Sequence, residues 1–89
     1  MSVNELKFVK SLSDKGYSRE SEFSLLHIGC GCGNMLGRIH YMYPKAKLYG
    51  VEENSNAREF AIPCAFVTKS TDDLPVALSN IDIVVEGLG

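Results

Sequence analysis

The chain has 89 residues, 45% hydrophobic and 22% charged, with a net charge of −2. That suits one ordinary globular domain with a modest core, roughly 60–65% of the unfolded surface being buried at this size. It excludes a basic nucleic-acid footprint and a bilayer-spanning run, while three cysteines, an odd number, do not make a disulfide framework. The polar N-terminus has no signal-peptide pattern, so a cytoplasmic, reducing location is expected.

Ser2 followed by Glu5 fits a capping box. Val3, Leu6, Val9 and Leu12 then recur at helical spacing, which predicts a helix from Val3 to Lys15 stopped at Gly16. After a polar connection, Phe23 to Ile28 is a nearly continuous apolar run, as expected of a strand covered on both faces. Asn34 to Tyr43 is a second helix with Met35, Leu36, Ile39 and Tyr43 facing inward, ended by Pro44. Lys47 to Val51 is a second strand. Asn54 or Ser55 caps a short helix reaching Ala61, which Pro63 terminates. Ala65 to Thr68 is a third strand, Asp72 to Leu78 a short helix or irregular connection, and Ile81 to Val85 a β-branched fourth strand. This alternation predicts an α/β fold with a parallel sheet and right-handed crossovers.

The chemistry-bearing segment is Leu25-Leu26-His27-Ile28-Gly29-Cys30-Gly31-Cys32-Gly33. An apolar strand runs into three alternating glycines, which let the backbone turn tightly and approach a ligand closely. Glu52 ends the next apolar run, where a carboxylate can accept hydrogen bonds from ribose hydroxyls. The dinucleotide pattern G-x-G-x-x-G fails in both registers, because its third glycine falls on Asn34 or on Leu36; only a looser spacing through Gly31, Gly33 and Gly37 survives. Cys30 and Cys32 lack the usual C-x₂-C metal spacing, and no metal is expected there.

The arrangement G-x-G-x-G resembles the first motif of the class I S-adenosylmethionine-dependent methyltransferases. The resemblance continues through Pro44 to Glu52, through Asp73-Leu74-Pro75, and through Ile81-Asp82-Ile83-Val84-Val85. It implies a three-layer Rossmann-like parallel sheet in strand order 3-2-1-4, truncated after the fourth strand. Residues 1–16 would be an N-terminal helix and residues 23–89 the nucleoside-binding half of the domain. The cofactor implied is S-adenosylmethionine. Its methionine end would lie on Gly29, Cys30, Gly31 and Gly33, its ribose on Glu52, and its adenine beside Glu53, Ser70 and Thr71. Glu86, at the carboxyl end of the fourth strand, could meet cofactor or methyl acceptor.

Two residues depart from the family pattern. His27 stands where an acid is usual, and Ser70 where many members have an acid for the adenine amino group. His27 is expected to be a satisfied core or loop-supporting histidine. No catalytic residue and no acceptor can be named. Beside methyl transfer stand a non-catalytic interaction or regulatory module that keeps the fold, and a nicotinamide-dependent oxidoreductase. The fourth strand is expected to be an apolar edge. A homodimer pairing such edges, or completion by a missing C-terminal half, would cover it, and the piece alone is expected to be inactive.

Overall fold

The computed structural model describes residues 1–60 and 65–88. Its elements are helix α1 (Val3–Asp14), strand β1 (Ser24–Ile28), helix α2 (Asn34–Met42), strand β2 (Lys47–Val51), helix α3 (Ser55–Glu59), strand β3 (Ala65–Thr68), one-turn 3₁₀ helices Thr71–Asp73 and Leu78–Asn80, and strand β4 (Ile83–Glu86). The expected end of α3 at Ala61 and its stop at Pro63 lie outside the described residues.

The strands form one sheet in order β3-β2-β1-β4, and every pairing is parallel. Leu26 sits in register with Tyr49 of β2 and Val84 of β4, so β1 is central and its residues Leu25, Leu26 and His27 are buried. Helices α1 and α2 cover one face. Val9, Leu12, Leu25, Met35, Leu36, Ile39 and Leu48 meet there in the main core cluster. The opposite face carries a smaller cluster of Leu26, Val51 and Ile81, with Leu74 and Val76 from the β3–β4 connection laid against it. That connection is two isolated turns rather than a full helix and leaves large side chains of the outer strands exposed. Phe66 on β3 and Val84 on β4 each keep 48% of their surface exposed.

Local chemistry sets the boundaries. The Ser2 hydroxyl accepts the Glu5 N–H at 3.1 Å, and the Glu5 carboxylate accepts the Ser2 N–H at 2.9 Å, which completes the capping box. At the other end Gly16 adopts φ +99°. Its N–H reaches the Ser13 carbonyl and the Tyr17 N–H reaches that of Leu12, a Schellman closure with Lys15 as the cap. Between the two alternatives for α3, Asn54 is the cap, its side-chain oxygen accepting the N–H groups of Asn56 and Ala57.

The fourth strand begins two residues later than its β-branched run suggests. Ile81 is buried but unpaired in the ladder, and Asp82 is committed elsewhere. The Asp82 carboxylate accepts the Ser24 N–H at 2.8 Å, while the Ser24 hydroxyl accepts the Asp82 N–H at 2.9 Å. This reciprocal pair locks the start of β1 to the start of β4. Among the described residues no helix is long and apolar enough to cross a membrane.

Candidate functional site

The candidate cofactor-binding residues gather at the carboxyl ends of the strands. The glycine loop follows β1, Glu52 and Glu53 follow β2, Ser70 and Thr71 follow β3, and Glu86 ends β4. Open parallel sheets bind ligands at this end, because crossovers leave a crevice beyond the strand termini.

The loop is shaped by left-handed backbone. Gly29, Gly31 and Gly33 have φ of +79°, +59° and +84°. An added Cβ on Gly29 or Gly31 would meet nothing within 4 Å. Glycine is thus required at these two positions by backbone conformation, and the space before them is open to a ligand. The Gly29 and Cys30 N–H groups both donate to the Val51 carbonyl, at 2.7 and 3.1 Å, which staples the loop to the end of β2. Gly33 caps α2 without a side chain, so α2 opens directly out of the loop.

Glu52 joins the two strand ends. One carboxylate oxygen accepts the Gly31 N–H at 2.9 Å and the other accepts the Asn54 N–H at 3.0 Å. These bonds, Asn54 first and Gly31 second, hold its carboxyl below the ordinary value of 4.5, with the Arg58 charge adding to them and desolvation opposing. Glu52 is therefore an anion throughout the neutral range, with lone pairs left to accept further donors. Ile28, Gly29, Val51, Glu52 and Glu53 line a cavity of about 200 Å³ here. A larger cavity of about 320 Å³, lined by Phe23, Lys45, Lys47, Tyr49 and Asp82 among others, lies at the amino-terminal end of the strands, away from the glycine loop.

Not every site residue is free to face a ligand. The Cys30 side chain turns into the core, its N–H is bound to Val51 and its carbonyl accepts the Gly33 N–H. Cys30 shapes the loop. Burial, with help from the Glu52 charge, pushes its thiol up to about 11, whereas Cys32 is exposed. Alkylation at pH 7.5 followed by mass mapping is expected to label Cys32 and spare Cys30 in the folded chain; equal labelling would contradict the packing. The Ser70 hydroxyl accepts the Asp72 N–H and caps the first 3₁₀ turn.

His27 is buried at 1% exposure, as a core histidine should be, but it is only half satisfied. Nε2 lies 3.1 Å from the Gly87 carbonyl, while Nδ1 has no partner among the described residues. The expectation of a satisfied core or loop-supporting histidine holds for Nε2 and not for Nδ1.

The roles of two residues were missed by sequence. Arg58 donates to the carbonyls of Glu52 and Glu53, at 2.7 and 2.8 Å, and fixes the turn that presents both acids. Gly50 packs so closely that a Cβ there would lie 2.8 Å from the Cys30 sulfur. The only signals for them were a lone arginine in a short capped helix and a glycine inside a strand. Among the described residues no cluster of metal-binding side chains exists.

No protein-family model matches this sequence, and no curated protein matches it. Solved structures do. The plantazolicin methyltransferase BpumL in complex with SAH superposes on 96% of this chain with a TM-score of 0.65 at 24% identity. The YcgJ protein from Bacillus subtilis matches 93% with a TM-score of 0.67 at 17% identity. The complex of the Haloferax volcanii Trm112 methyltransferase activator with a methyltransferase matches 97% with a TM-score of 0.59 at 14% identity. The chain shares the fold of these structures. It spans 33% of the BpumL chain, 36% of YcgJ and 47% of the Haloferax chain. The match takes in nearly the whole of this chain, and what it shows is the shared parallel α/β fold with its order β3-β2-β1-β4.

Proposed function

We propose that this chain forms the cofactor-binding half of a class I methyltransferase domain, which binds S-adenosylmethionine and serves methyl transfer to an acceptor not yet identified. The observation that carries the proposal is the Glu52 carboxylate, ionised and fixed against the Gly31 N–H at the mouth of an open, left-handed glycine loop.

The residues present fit such a ligand. A ribose diol needs a fixed acceptor, which Glu52 provides. The methionine portion needs a loop without side chains in its path, and the ground before Gly29 and Gly31 is clear. Glu53, held by Arg58, stands next along the same edge, where the adenine would lie with Ser70 and Thr71. A bound S-adenosylmethionine would supply an activated methyl group on a sulfonium, so positioning would be the protein's main contribution. Glu52 holds its charge without a proton to exchange, and the loop is pinned to β2 before any ligand arrives. Little reorganisation is then required on binding.

Addition of S-adenosylhomocysteine to the ¹⁵N-labelled chain tests this reading. The amides of Gly29, Gly31, Gly33 and Asn54 are expected to shift, with those of α1 unchanged. Shifts confined to the amino-terminal cavity around Lys45 and Asp82 would argue against it.

A further inference from the structure

The backbone that leaves β4 is held in an unusual conformation. Gly87 has φ +78° and Leu88 φ +73°, and Leu88 is the only non-glycine residue with positive φ among those described. Such a turn persists only where its surroundings hold it. Three ties do so. The Gly87 N–H donates to the Ile28 carbonyl at 3.2 Å, the Ser2 hydroxyl donates to the Leu88 carbonyl, and the Gly87 carbonyl meets His27 Nε2 at 3.1 Å. A carbonyl only accepts, so Nε2 carries the proton. Nδ1 is buried without a partner among the described residues.

What the turn carries is Glu86. It pairs in register with Ile28, the last residue of β1, and Gly29 begins the glycine loop directly after. His27 therefore links the strand that launches the loop to the backbone that sets Glu86 beside it.

We infer that His27 is a positioning residue, an imidazole whose Nε2–H latches the Glu86–Gly87–Leu88 turn against the cofactor loop. It makes no ligand contact itself, since its ring is enclosed. The latch stands on the geometry alone; its importance for binding rests on the cofactor reading above.

Three measurements on the intact chain decide it. Two-bond ¹H–¹⁵N correlation of the imidazole is expected to show the Nε2–H tautomer, and the Nδ1–H tautomer would overturn the inference. His27→Phe keeps the ring but removes the donor. It is expected to speed amide exchange at Gly87 by about tenfold while leaving Gly29, bound to Val51 across β2, close to wild type. His27→Gln restores an N–H donor and should recover much of the protection. Uniform acceleration across the sheet in both variants, or unchanged exchange at Gly87, would refute a local latch. If wild type binds S-adenosylmethionine, His27→Phe should weaken it by about tenfold with partial rescue by His27→Gln, and unchanged affinity would remove the link to the site. If wild type does not bind, the cofactor reading fails, while tautomer and exchange still decide the latch.

Discussion

Glu52→Ala is expected to weaken S-adenosylmethionine binding by about a hundredfold or more, on the order of two charge-assisted hydrogen bonds. The same change should lower stability by about 1 kcal/mol, because the Gly31 and Asn54 N–H groups lose their acceptor in a partly solvated place. The two effects separate by pH. The carboxyl of Glu52 is depressed in the folded chain, so its contribution to stability is complete above the ordinary value of 4.5 and is lost as pH falls through the folded value. Ligand affinity of the wild type should accordingly be flat from pH 8 to pH 5, as far as Glu52 controls it. Glu52→Gln keeps an acceptor for one of the two amides. It should recover part of the stability and little of the affinity, since the neutral amide is the weaker acceptor for a diol. Equal affinity in wild type and Glu52→Ala, measured on folded protein, would take the ribose role away from this residue.

Gly50→Ala is expected to destabilise the fold strongly. Its Cβ would sit 2.8 Å from the Cys30 sulfur, 3.0 Å from Leu36 Cδ1 and 3.3 Å from Val67 Cγ2. Leu36 is fully buried and Cys30 nearly so, so neither can swing away. Overpacking of this kind costs about 2 kcal/mol, or roughly 8–16 °C in Tm for a domain of this size. Because Cys30 belongs to the glycine loop, the strain would reach the site as well. A double-mutant cycle isolates the cause. Cys30→Ala removes the closest atom, so the cost of Gly50→Ala should fall by half or more in that background. Additive losses in thermal unfolding would show that the clash lies elsewhere.

Much of this architecture was legible in the chain. The capping box at Ser2 and the closure at Gly16 are local devices, written in residues three or four apart, and both formed as expected. Parallel pairing followed from alternation and handedness, while the strand order 3-2-1-4 was expected only from the family resemblance. The glycine loop and Glu52 stood out because chemistry and conformation coincide there. What stayed hidden depends on distant partners. The hydrogen bond of His27 spans 60 residues, and the lock between Ser24 and Asp82 spans 58, so no window of sequence contains either. That lock is why β4 starts after Asp82. The crowding at Gly50 arises only when the loop, α2 and β3 converge on one point of β2. Arg58 escaped notice because it acts through backbone carbonyls, which leave no pattern in side-chain identity.

The loop and Glu52 are proposed to form a site for S-adenosylmethionine and not for a dinucleotide. Calorimetric titration of the chain with S-adenosylmethionine, S-adenosylhomocysteine and NADH tests it most directly. Binding of the first two is expected in the micromolar range, at one site, with no heat from NADH. Binding of NADH alone, or no binding of any of the three by a chain shown to be folded, would contradict it.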